Sequence, residues 1–170
     1  MEMVIRVYRY ARQHVDLAEK QLSELVDIRK KLNTRIERVE NAYTDALTNG
    51  DIYVPVSFMR RDNEFNRYKT RMEEKQHQVV MNLSLSLSFC AELVYSMIHD
   101  TSEEALGYKI RVRHIIDRII DIATDEVMNG SSLASLAPAI AKIESEITLN
   151  GFDKLGLIKK HLMSFRDRIS

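Results

Sequence analysis

The sequence predicts an all-α fold: a long coiled-coil helical hairpin, with helices over about 2–48 and 58–99, carrying a C-terminal helical bundle of three further helices. Three observations lead there. Breakers are sparse, with five glycines and two prolines in 170 residues, so turns are few and elements long. Residues 1–46 keep one heptad pattern without interruption. Each later segment returns to three–four apolar spacing, and one short stretch alone reads as extended.

The first helix carries the strongest signal. Its a positions are Met1, Tyr8, Val15, Leu22, Arg29, Ile36 and Tyr43; its d positions are Val4, Ala11, Ala18, Leu25, Leu32, Val39 and Ala46. Arg29 is the one charged residue among them. Alternating steps of four and three keep a single stripe turned towards a partner helix. At 1.5 Å per residue the helix is roughly 69 Å long, against a radius of gyration of about 15 Å for a compact domain of this size. It therefore protrudes, pairs with another long element, or both, and its partner is either the same chain or another copy. Asn49-Gly50 is the stop, because glycine fits a left-handed C-cap; Asn129-Gly130 and Asn150-Gly151 repeat the signal.

Residues 50–57, Gly-Asp-Ile-Tyr-Val-Pro-Val-Ser, read as the connection, with β-branched residues before Pro55 held out of the helical region. The second helix has a thin apolar stripe at first (Phe58, Phe65, Tyr68, Met72, Val79) and is apolar nearly all round afterwards. Residues 82–89, Asn-Leu-Ser-Leu-Ser-Leu-Ser-Phe, alternate with period two. That pattern suits a strand, yet no second strand exists to pair with it. Leu83, Leu87, Cys90, Val94 and Met97 also keep helical spacing, so a buried helix is the reading preferred.

Thr101-Ser-Glu-Glu104 forms a capping-box pattern that opens a third helix over about 102–128. Its expected inward residues are Leu106, Ile110, Ile116, Ile119, Ile120, Ala123 and Val127. A fourth helix lies over about 133–149, with a break near Ser135 because Pro138 fits only a first turn. A fifth, over about 153–169, carries Leu155, Ile158, Leu162, Phe165 and Ile169 at its core spacing.

Folding the first two helices back through residues 50–57 sets Ala11 opposite Ser96, and the apolar part of the second helix against residues 9–28. The remaining helices start at that end. A single domain over 1–170 follows, divided into a bundle (1–28 plus 79–170) and a protruding two-helix arm (29–78). At the arm's tip Ile52, Tyr53, Val54, Val56, Phe58 and Met59 make a candidate partner-binding patch, with Tyr53 and Phe58 as anchors; the alternative is a loop folded back on the chain. Arg29 either sets register or passes its guanidinium to solvent, near Glu73 or Glu74.

Charge is balanced, 25 basic against 25 acidic, and balanced again in each third of the chain. No global field gathers nucleic acid or anionic lipid. Arg6, Arg9 and Arg12, and Lys109, Arg111, Arg113 and Arg118, form basic clusters, but acids are interleaved with both, so a solvated face is expected and nucleic acid is not a favoured partner. Cys90 is the only cysteine, and the N-terminus lacks a signal-peptide core. No apolar run near 18 residues is evident, so membrane insertion is not expected and a cytoplasmic setting is.

No pattern carries catalytic, metal or cofactor chemistry. Glu74-Lys-Gln-His77 is a single Glu-x-x-His pair where a di-iron bundle needs two. His114 with Asp117 or Asp121 lacks any nucleophile in pattern with it. The expected function is non-enzymatic: an assembly or adaptor protein gripping other chains, or a second copy of itself, through the arm and helix faces. A helical chaperone or regulator of a client segment is the alternative, and a nucleic-acid-associated helical protein a weaker one. Over residues 1–80 the helix–short loop–helix layout is similar to the small coiled-coil stalk proteins of flagellar and type III export machinery, which implies an export or assembly context.

Overall fold

The structure, a computed structural model, describes residues 2–50, 63–97, 99–128, 133–150 and 157–169. They form helices throughout: α1 (Glu2–Thr48), α2 (Asn63–Ser96), α3 (Glu103–Ala123), a 3-10 turn (Ala134–Leu136), α4 (Ala137–Asn150) and α5 (Leu157–Ile169). No strand occurs among the described residues. α1 and α2 lie along each other as a hairpin within one chain; α3 packs on both, α4 packs on α2, and α5 closes over α3 and α4.

The heptad stripe is what α1 buries. Val4, Ala11, Val15, Ala18, Leu25 and Val39 are buried, and Tyr8, Leu22, Arg29, Leu32, Ile36 and Tyr43 half-buried. The buried face is wider than a strict seam. Val7 and Ile28 at g positions are buried too, and His14, Gln21 and Arg35 on the same row are half-buried. A helix that meets a bundle needs such a third row, where a coiled coil of two needs two. α1 ends as expected: Gly50 takes φ +83°, Asn49 N–H donates to Asp45 O at 3.0 Å and Gly50 N–H to Leu47 O at 3.1 Å.

Residues 82–89 are helical. Leu83 and Leu87 are fully buried, while Ser86 Oγ donates to the Ala11 carbonyl at 2.7 Å. A serine there lets the two backbones approach. The same bond corrects the expected register, since Ala11 lies opposite Ser86 and not Ser96. Glu24 beside Lys75 and Arg35 beside Glu64 show the same offset, roughly two to three helical turns. The expected register assumed an apex inside 50–57, and periodicity alone places no apex.

Three expectations for the third helix are corrected. Its N-cap is Ser102, which accepts from Ala105 N–H at 3.2 Å, and not Thr101; Asp100 supports the cap by accepting from Ser102 N–H at 2.9 Å. The helix stops at Ala123, not near 128, because Thr124 Oγ1 turns back to Ile120 O and the Asp125 carboxylate accepts from Val127 N–H. Leu106 and Ile110 face outward, 57% and 51% exposed, and Ala105, Tyr108, Val112 and Ile115 fill the inward places. The inward arc runs through Ala105, Tyr108, Val112 and Ile115, and the pair chosen from spacing falls outside it. Pro138 sits in the first turn of α4 directly after the 3-10 turn, as its missing N–H requires.

α2 holds a window long and apolar enough, by length and composition, to cross a membrane, which the sequence reading did not find; half of that window is buried inside the bundle. Its centre is the core of the fold, with Val79, Leu83, Leu87, Cys90, Leu93 and Val94 each fully buried. Leu136, Ile140 and Ile143 of the 3-10 turn and α4, and Leu162 and Phe165 of α5, complete the core. Burial thins along the hairpin. On α1 beyond Ile28, and on α2 before Gln76, Val39 is the one buried side chain among those described. The bundle's edge is marked by two contacts to the turn after α3: Gln76 Nε2 donates to Val127 O at 2.8 Å, and Arg29 lies 3.7 Å from Glu126.

Candidate interaction surface

Heptad position c of α1 holds Met3, Tyr10, Leu17, Glu24, Lys31, Arg38 and Asp45. Spaced two turns apart, they form one row that flanks the g row and so borders α2. Its first three members are apolar and exposed: Met3 59%, Tyr10 42% and Leu17 45%. On the facing edge of α2, Met81 (51%) and Leu85 (41%) are likewise exposed, one turn apart, with Phe89 a turn further and half-buried. Exposed apolar side chains on two adjacent helices line a shared groove.

A polar set fixes the floor of this groove. His14 Nδ1, in the tautomer that protonates it, donates to Asn82 Oδ1 at 2.8 Å. Asn82 Nδ2 donates to Gln21 Oε1 at 2.8 Å and to Gln78 O at 3.1 Å, so the amide is satisfied at both ends. The Phe89 ring stacks on His14 (centroids 5.7 Å apart, 14° between planes) and lies 5.5 Å from Tyr10. These contacts hold Phe89 and Tyr10 across the hairpin. Toward the arm the groove meets acid: Glu24 accepts from Lys75 Nζ at 2.6 Å, a bond that holds the Glu24 carboxyl below its ordinary range.

α3 lies on the other side of α1. There Arg118 bridges Asp16 at 2.5 Å and Glu19 at 2.8 Å, which raises the pKa of its guanidinium. Tyr8 meets Tyr108 edge-on at 5.5 Å, with the Arg111 guanidinium over both rings. The groove of Tyr10, Leu17, Met81 and Leu85 therefore faces away from α3. Leu106 and Ile110 form a second, smaller apolar strip, on one helix only.

The structure separates the residues singled out from the sequence. Ile52, Tyr53, Val54, Phe58 and Met59 lie outside the described residues. The seam residues line the hairpin's inside and are not a free surface; Leu25, at 0% exposure, is covered by the chain's own bundle. Arg29 pairs with Glu126 in place of Glu73 or Glu74. Glu74, His77, His114 and Asp121 are exposed. No group of three or more His, Cys, Asp or Glu is placed to hold a metal among the described residues. Cys90 is fully buried, and burial pushes its thiol up to about 12, so no thiolate nucleophile forms near neutrality. Sequence reasoning missed the groove itself. Its signal was the apolar start of the c row outside the assigned seam, Met3, Tyr10 and Leu17.

The chain matches no family model, no curated protein and no solved structure.

Proposed function

We propose that this chain is a non-catalytic assembly or adaptor protein that receives a helix of another chain in the outer groove of its α1–α2 hairpin. One observation carries the reading: Tyr10, Leu17, Met81 and Leu85 expose 41–51% of their surface on two adjacent helices, around a floor ordered by the His14–Asn82–Gln21 bonds. Two packed helices present a groove into which an apolar ridge of a third can settle, the recognition mode of amphipathic helices. Tyr10 and Phe89 supply aromatic anchors of the kind that dominate interfaces.

A partner chain fits better than a second copy. Stacking two hairpins along this face, parallel to their helices, would set Lys31 and Arg38 of one against Arg67 and Arg71 of the other. The chaperone reading uses the same groove and differs only in whether the guest is released.

The test is the Tyr10→Ser/Leu85→Ser double variant, followed by gel filtration of native extract. The expected result is a wild-type chain eluting in a larger assembly and a variant eluting alone, with the same thermal midpoint within a few degrees. A wild-type chain that elutes alone, or a variant that stays in the assembly, would overturn the reading.

A further inference from the structure

Past the Glu24–Lys75 pair the character of the hairpin changes. Residues 29–40 of α1 and 63–71 of α2, side by side in the structure, hold eight basic residues (Arg29, Lys30, Lys31, Arg35, Arg38, Arg67, Lys69, Arg71) against three carboxylates (Glu37, Glu40, Glu64). A cleft of about 230 Å³ opens between the helices there, lined by Lys30, Lys31, Thr34, Arg35, Arg38, Glu64 and Tyr68. Arg35 lies 3.4 Å from Glu64. Lys30, Lys31, Arg38, Arg67, Lys69 and Arg71 have no carboxylate within salt-bridge distance among the described residues. Toward the bundle several cations are engaged, Arg6 with Glu2, Arg12 with Asp16, and Arg118 with Asp16 and Glu19, while Arg9 and Lys20 stand singly along α1. Among the described residues, this stretch of the hairpin therefore gathers six cations without a carboxylate partner.

We infer that this cleft binds the backbone phosphates of a single-stranded nucleic acid. The cations form a track, not a closed cup. Lys31, Arg35 and Arg38 follow one face of α1. Arg67 stands one turn from Glu64, and Arg71 one turn from Tyr68, along α2. Steps of one turn, about 5.4 Å, approach the interval between successive phosphates of an extended strand. Tyr68, half-buried in the cleft with its hydroxyl donating to Glu64 at 3.3 Å, sets an aromatic ring beside the cations, and single-strand sites combine such rings with a basic track. A duplex groove fits poorly: two packed helices span about 20 Å, and the major groove about 12 Å. One acidic helix running from the apolar groove into the cleft would have to pass Glu24 and Glu74.

Fluorescence anisotropy of a labelled 20-nucleotide oligo-U, with the full chain in 50 mM salt, tests this. Binding should weaken with a log–log salt slope of about −3.5, as some five phosphate contacts require. Lys31→Glu/Arg38→Glu should weaken it at least tenfold. The charge-matched control Arg9→Glu/Lys20→Glu, on the same helix outside the cleft, should change it less than threefold. Circular dichroism melts check that both variants fold. No binding at 100 μM protein, equal losses in the two variants, or equal competition by poly-glutamate or phosphatidylglycerol vesicles would overturn the inference. The groove proposed for a partner helix is untouched by either outcome.

Discussion

Leu83 and Leu85 stand two residues apart in the alternating Leu-Ser run, and the fold assigns them opposite fates. Leu83 is fully buried and Leu85 is 41% exposed. Leu83→Ala removes a side chain packed on all sides and leaves a cavity, for a cost of about 3 kcal/mol. At Leu85 water fills the space, no cavity remains, and only part of the transfer energy is lost, about 1 kcal/mol or less. Ser86→Ala removes the donor to the Ala11 carbonyl, which keeps its helical bond, and costs about 1 kcal/mol. Urea titration of the three variants measures this. With a slope of about 2 kcal/mol per molar, Leu83→Ala should lower the midpoint by about 1.5 M and Leu85→Ala by no more than about 0.5 M. A strand would place both leucines on one face. Equal losses at positions 83 and 85 would therefore refute the helical placement.

Acid should loosen the hairpin. The Glu24 carboxyl is held down first by its bond to Lys75, and the Asp100 carboxyl by its bonds to Ser102. A lowered carboxyl contributes stability above its unfolded value and loses it as pH falls through the folded one. Stability measured between pH 6 and 3 should fall below the usual carboxylate range near 4, and fall less steeply in Glu24→Gln; an identical slope would rule out that pair as a contributor. Cys90, buried and with its thiol pushed up to about 12, should react with Ellman's reagent only when the bundle opens, so labelling at pH 8 should accelerate with urea. Prompt labelling of the native chain would show the core open at α2.

What the sequence made legible was periodicity. The heptad of α1, the glycine stop at Gly50, the proline at the head of α4 and the helical reading of residues 82–89 all follow from local chemistry that tertiary contacts do not override. What it hid depends on which helices meet. The g row of α1, absent from the a and d seam, is half-buried or buried because α2 covers it, through His14 and Gln21 at Asn82 and Arg35 at Glu64. Leu106 and Ile110 fit an inward spacing as well as Val112 and Ile115 do, and packing alone chose between the two sets. The basic cleft was invisible because charge averaged over each third of the chain is neutral; only the antiparallel hairpin brings residues 29–38 beside 63–71. Of the outer groove only one wall, the apolar start of the c row at Met3, Tyr10 and Leu17, shows in the sequence of α1; its pairing with Met81 and Leu85 depends on the register of the hairpin.

On the reading proposed above, the hairpin's outer groove is open in the isolated chain and filled by a partner helix in the cell. Photo-cross-linking in the native cell tests it most directly, with a benzophenone side chain placed singly at Leu17, at Leu85, and at the exposed controls Glu37 and Asp121. Positions 17 and 85 should give one and the same adduct, abolished by Tyr10→Asp, and the controls none. Adducts from the controls alone, or from all four positions alike, would contradict it.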